Sequence, residues 1–220
     1  MATKEKRRIW FCGIPGSKWS GIDFNLRQVL PCDRTDETSD RIFYHRAATS
    51  EDVNNGHRGS YWGPGQGCGE DWLDFNHITP NKLIDDINAV FTGDGYQIIK
   101  SHFFARHFNL DYIWNNFPND YIVLIYREPQ KSFAWWSEVM DFTEGHYPDY
   151  RPGYKDYNTM RSLIWNESSK ITDFAIKKGM KFQQYKTNNV FAMIDGYKYD
   201  IGNTITPHQT DVYVAITQIT

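Results

Sequence analysis

Three short segments of this chain carry side chains able to hold an anion and move a proton. The first is Gly13-Ile14-Pro15-Gly16-Ser17-Lys18-Trp19-Ser20-Gly21. Its small residues let the backbone close around an oxyanion, and the first amides of a following helix would point at it with the helix dipole behind them. Ser17 and Ser20 add hydroxyl donors and Lys18 a charge. It is not a Walker A loop, because Trp19 separates Lys18 from Ser20. The second segment, Ile98-Ile99-Lys100-Ser101-His102, would deliver a cation and a general base from one strand end. The third, Val123-Leu124-Ile125-Tyr126-Arg127-Glu128-Pro129, sets Arg127 where a buried strand emerges. From there a guanidinium matches a phosphate in paired geometry. Each segment also has a plain reading: a strand-to-helix turn, a structural histidine, an arginine paired with a carboxylate.

The elements that must position these groups follow from the apolar pattern. Residues 8–12 form a short apolar run, and Trp19, Ile22, Leu26, Val29 and Leu30 recur at helical spacing until Pro31. Thr79-Pro80 reads as an N-cap and first-turn pair for a helix whose face is Leu83, Ile84, Ile87, Val90 and Phe91. Gly93-Asp94-Gly95 breaks it, and 96–100 reads as a buried strand. Leu110, Ile113, Trp114 and Phe117 mark a helix closed by Pro118, and 121–126 is the most strand-like run. A helix with Phe133, Trp136, Val139 and Met140 comes next. After a Tyr/Pro/Gly-rich loop, Met160, Leu163, Ile164, Ile171, Phe174 and Ala175 outline a longer helix, ended by Gly179 in the C′ role. A fourth strand is expected at 181–185.

Strands alternating with helices predict an α/β domain over residues 1–220, a parallel sheet flanked by helices. Ligands of such sheets sit beyond the carboxyl ends of the strands, where all three segments would lie. Residues 32–78 are polar and loop-rich, which suggests a functional excursion or a mobile segment. The last part, 186–220, is β-rich: 190–194 and 197–201 flank an Asp195-Gly196 turn signal, and 211–220 alternates. It would extend the sheet, form a small appendage or join a partner chain.

In order and spacing, the three segments resemble the signature of the sulfotransferases that use 3′-phosphoadenosine 5′-phosphosulfate (PAPS). Pro15-Gly16-Ser17-Lys18-Trp19-Ser20 is similar to that family's 5′-phosphosulfate loop, Pro-Lys-Ser-Gly-Thr-Thr. Lys100-Ser101-His102 is similar to its Lys-Thr-His, and Tyr126-Arg127-Glu128-Pro129 to its Arg-Asn/Asp-Pro. The resemblance implies a P-loop-like fold and sulfuryl transfer from PAPS to a hydroxyl or amine, with 3′,5′-adenosine diphosphate (PAP) as product and no metal required. It implies His102 as base, Lys100 and Lys18 as charge stabilisers, residues 15–21 as the donor loop, and Arg127 on the 3′-phosphate. The departures are specific. Gly16 stands where the family has Lys, with Lys18 two residues on. Trp135 stands where the family has a second phosphate-binding Ser, which leaves Ser132 or Ser137 as substitutes. No Arg-Lys-Gly phosphate loop is evident near the C-terminus.

Composition bounds the partners. The 220 residues are 40% hydrophobic, with eight Trp, 14 Tyr and 14 Phe, enough for a substantial core. A net charge of −3 speaks against a general nucleic-acid binder. The apolar run after Arg8 stops at Gly13, far short of a membrane span, and three scattered cysteines suggest a reducing, cytoplasmic setting. The seven His lack metal-ligand spacing. Aromatic and charged residues within 56–72, with His57, Tyr61, Trp62 and Trp72 as candidates, suit a carbohydrate or polar small-molecule acceptor, or equally a loop packing its own rings. Tyr147, Tyr150 and Tyr154 suggest a second lid. Two rivals stand beside the transferase reading: a small-molecule or nucleotide kinase using ATP, and a non-catalytic nucleotide-fold interaction module.

Overall fold

Five successive buried residues, 9–13, make the strand β1 (Arg7–Gly13) one that is covered on both faces. A computed structural model of the chain describes residues 6–43, 57–139, 156–185, 193–197 and 211–220. Tyr147, Tyr150 and Tyr154 lie outside them, as do the strands expected to flank the Asp195-Gly196 turn except for residues 193, 194 and 197. The turn itself is formed: the Tyr197 amide donates to the Ile194 carbonyl at 3.0 Å, and Asp195 and Gly196 both have positive φ.

β1 lies between two parallel neighbours, β6 (Tyr96–Ser101) and β7 (Tyr121–Arg127). Beyond β6 come β4 (Tyr61–Trp62) and β5 (Gly67–Cys68), also parallel. Beyond β7 come β9 (Val212–Gln218), antiparallel to β7, and β8 (Gln183–Gln184), antiparallel to β9. The sheet is therefore mixed and mostly parallel, in the order β5-β4-β6-β1-β7-β9-β8. This corrects two expectations. The wholly parallel sheet ends at β7, and the strand expected at 181–185 is a two-residue edge beyond β9. The tail extends the sheet because β9 pairs with β7 along its whole length, covering an edge that would otherwise be an open row of amides and carbonyls. A separate pair, β2 (Ile42–Phe43) with β3 (His57–Arg58), stands outside it.

Helices cover both faces. α1 (Trp19–Val29) sets Ile22 and Leu26 against Ile9, Phe11, Ile98 and Val123 on one face. The other face takes α2 (Pro80–Val90), α3 (Asn109–Asn116), α4 (Pro129–Val139) and α5 (Tyr157–Lys177). Leu83, Ile113, Trp136, Ile164 and Phe174 bury there against Trp10, Cys12, Ile99 and Leu124. Period-two alternation along β1, β6 and β7 feeds the two cores.

The predicted punctuation holds at both kinds of helix end. Thr79 Oγ1 accepts the Lys82 amide at 3.3 Å and Pro80 opens α2. Gly179, at φ +67, lets the Met180 amide reach the Ala175 carbonyl at 2.9 Å and its own amide reach Ile176 at 3.1 Å, a Schellman closure of α5. No helix among the described residues is long and apolar enough to cross a membrane. All three cysteines are free thiols, and burial pushes that of Cys32 up to about 12.

Candidate active site

The chain leaves β1 toward the face that carries α1, while β6 and β7 lead to elements on the opposite face. Such a divergence at the carboxyl end of a sheet opens a crevice between neighbouring strands. The register sets Cys12 beside Ser101 and Gly13 beside Ile125, so the ends of all three strands meet there. The sequence expectation that residues 13–21, 100–102 and 127 converge agrees with this geometry.

The loop closes on itself first. The Ser17 amide and hydroxyl both donate to the Ile14 carbonyl, at 3.1 and 2.6 Å. Gly16 has φ +75, and a Cβ there would stand 1.9 Å from the Ser132 carbonyl oxygen, so the loop lies against the first turn of α4. Ala at this position is expected to cost at least about 2 kcal/mol through clash and left-handed strain, lowering Tm by roughly 4–8 °C. Gly179→Ala is the control: its φ is also positive, yet nothing lies within 4 Å of the added carbon, and thermal melting should register only about half that loss or less.

Lys18, at φ 60, is the N-cap of α1 and makes no side-chain cap hydrogen bond. α1 starts here, so the positive end of its dipole faces the loop, and its first turn carries no acidic residue to oppose an anion. The Lys18 ammonium lies 4.1 Å over the Trp135 ring, a cation–π contact that ties the loop to α4. Of the proposed serine substitutes, Ser132 is fully buried, with its hydroxyl 3.5 Å from the Arg127 carbonyl. Ser137 donates to the Phe133 carbonyl within its own helix at 2.8 Å.

His102 is buried, and its ring lies 4.0 Å from that of Trp19 at an interplanar angle of 30°. Its Nδ1 bonds the Gly13 carbonyl. A carbonyl only accepts, so Nδ1 carries the proton and, in the neutral ring, Nε2 carries the basic lone pair. The loop thus fixes the tautomer of the histidine.

Arg127 binds Asp211 through Nε at 3.0 Å and donates through Nη1 to the carbonyls of Gly16 (3.0 Å) and Lys131 (3.2 Å). It fastens the loop to the starts of α4 and β9. Lys100 is fully buried on the α1 face. Its ammonium binds Asp23 Oδ2 at 2.6 Å and the Arg58 carbonyl, 4.6 Å below the Tyr61 ring. Burial lowers its pKa, and Asp23 opposes the fall. Asp23 Oδ1 also takes Arg27 Nε at 2.9 Å, and Arg27 forks onto both oxygens of Asp36 at 2.9 and 3.0 Å. Burial alone would raise Asp36, but Arg27, the Ser60 amide and Lys100 together hold it below the ordinary range. This buried charge cluster was not foreseen. Only the Asp23/Arg27 spacing of four within one helix hints at it.

The acceptor candidates divide. Tyr61 belongs to the site: its ring lies 5.4 Å from Trp19 and 6.4 Å from His102, and its hydroxyl is 3.4 Å from Ser20 Oγ. Trp62 and Trp72 do not. They stack at 4.4 Å, fully buried in the core on the opposite face, and present no ring to an acceptor. His57 lies in β3. Among the described residues no His/Cys/Asp/Glu group is arranged to hold a metal ion.

Compared with protein-family models, curated proteins and solved structures, the chain has no match. It is an α/β protein with a mostly parallel mixed sheet, whose candidate site joins the ends of β1, β6 and β7.

Proposed function

We propose that this protein transfers a sulfuryl group from PAPS to a hydroxyl or amine of a small molecule or carbohydrate, with His102 as the general base. The observation that carries the reading is the bond from His102 Nδ1 to Gly13 of the loop, which makes Nε2 the proton acceptor and ties the base to the anion-holding segment. The first amides of α1 and the Lys18 ammonium would receive the 5′-phosphosulfate. His102 Nε2 would take the acceptor proton as the acceptor oxygen or nitrogen bonds to sulfur. The sulfur–oxygen bond to the 5′-phosphate breaks, and that oxygen keeps the electron pair beside Lys18. Arg127, already bonded to three oxygens, would hold the loop in place beneath the donor. Lys100 would act through the frame of the site, since Asp23 already balances its charge.

A second reading, a non-catalytic module on the same fold, is favoured by one observation. The two cations expected on the donor, Lys100 and Arg127, are paired with Asp23 and Asp211. One thermal-shift experiment separates the readings. PAP at a hundredfold excess over its Kd should stabilise the chain by about 2.7 kcal/mol, raising Tm by roughly 5–10 °C. A rise with ATP and Mg²⁺ alone would move the assignment to a kinase. No response to either would leave the interaction module.

A further inference from the structure

The C-terminal strand reaches the anion-holding loop through one carboxylate. Asp211 immediately precedes β9, whose register with β7 sets Val212 beside Arg127. Its Oδ2 takes Arg127 Nε at 3.0 Å, and Arg127 Nη1 bridges two carbonyls, Gly16 at 3.0 Å and Lys131 at 3.2 Å. Carbonyl oxygens only accept, so without a shared donor the loop and the first turn of α4 would repel each other there. The two are pressed close. A Cβ on Gly16 would meet the Ser132 carbonyl oxygen at 1.9 Å, and two residues on, the Lys18 ammonium lies over the Trp135 ring of α4.

Arg27 shows how this chain neutralises a buried guanidinium: it forks onto both oxygens of Asp36, at 2.9 and 3.0 Å. Asp211 does not fork. Its Oδ1 is buried and accepts no hydrogen bond among the described residues, although only 10% of the Arg127 side chain is exposed. If neutralising Arg127 were its whole task, the fork would serve better, since it satisfies both oxygens. The guanidinium is turned instead to the two carbonyls, and Asp211 keeps hold of Nε. A planar group fixed at both Nε and Nη1 has little freedom left to rotate. We propose that Asp211 is a positioning residue for the anion-holding loop. It aligns Arg127, and Arg127 pins Gly16 to α4, so that Lys18 and the start of α1 keep the geometry that receives an anion. Naming that anion as the 5′-phosphosulfate rests on the transfer reading, whereas the linkage from Asp211 to Gly16 does not. The C-terminal strand then has a task beyond covering the edge of β7.

Amide hydrogen exchange of residues 13–21 in the full chain tests the linkage, and PAP affinity tests its consequence. Asp211→Ala should speed exchange of the Ser17 amide, which the closed loop bonds to Ile14, while the amides of β1 and β6 exchange as before. The expected factor is about 10- to 100-fold, the worth of one hydrogen bond to a charged group, and PAP should bind more weakly by a similar factor. Asp211→Asn keeps an oxygen for Nε and should recover most of both losses. Arg127→Lys keeps a charge beside Asp211 but cannot bond the carboxylate and the loop together. It should loosen the loop as Asp211→Ala does, and the two changes combined should be no worse than either. It also carries the test if Asp211→Ala does not fold. Faster exchange confined to β9, or losses that add in full in the double variant, would mean that Asp211 acts locally and overturns the proposal. A loop indifferent to both single variants does the same. If the wild-type chain binds no PAP, the transfer reading falls, and the exchange rates still decide the linkage.

Discussion

His102→Ala is expected to lower the rate of sulfuryl transfer by roughly 10²–10⁴-fold, the range a positioned general base supplies. PAP affinity should stay within about threefold of wild type, because the donor contacts assigned here come from the loop, Lys18 and the α1 amides. The separation follows from geometry. The histidine meets the loop through its Nδ1–H on the Gly13 carbonyl and its ring on Trp19. Deleting it removes the hydrogen bond to Gly13, worth about 1 kcal/mol, and all of the proton acceptor. A pH profile gives a second readout: the acid limb that a neutral imidazole base imposes on kcat/KM should vanish in the variant. His102→Asn keeps a donor at the Nδ1 position for Gly13 but no base, so it should restore stability without restoring rate. If either variant loses PAP binding while remaining folded, His102 is a donor ligand and the base lies elsewhere. If both keep the wild-type rate, the histidine is only a brace for the loop.

How far the site could be read from sequence depended on the range of the interactions that build it. β1 and β7 were legible because their burial is continuous, and α2 and α5 because Thr79-Pro80 and Gly179 write helix ends in local chemistry. The convergence of 13–21, 102 and 127 followed from placing each segment at a strand end. What stayed hidden was built from distant partners or from very short elements. β4 has two residues, too few to show a period, yet it decides the fate of the aromatic stretch. Neighbouring residues of a strand point to opposite faces, so Tyr61 turns to the His102 side and Trp62 into the core with Trp72. The pairing of β9 with β7 is invisible for a related reason: alternation along 212–218 announces a strand but not its neighbour or its direction. Arg127 and Lys100 looked like free cations because Asp211 and Asp23 stand 84 and 77 residues away in sequence.

That second pairing makes Asp23 the residue whose loss should damage the fold most. Its two oxygens are divided between Arg27 Nε and Lys100 Nζ, and all three side chains are almost wholly buried. Asp23→Ala would leave two buried cations sharing Asp36 and the more exposed Glu37. Removing one partner of a buried ionic group costs about 3–5 kcal/mol, so Tm should fall by roughly 6–20 °C. A pH series identifies the cause. Lys100 already sits below its ordinary 10.5 because burial disfavours its charge, and without Asp23 it falls further. Between that lowered value and 10.5 the unfolded chain binds more protons than the folded one, so stability of the variant rises with pH across this window. The deficit against wild type should therefore shrink toward alkaline pH in urea titrations. Lys100→Met added to Asp23→Asn removes the unbalanced charge and should recover part of the loss, a coupling of about 0.5–3 kcal/mol. A deficit independent of pH, with no recovery in the double variant, would mean that Asp23 contributes packing alone. Lys100 would then be available to the transferring group, and the assignment of charge stabilisation to Lys18 would have to be shared with it.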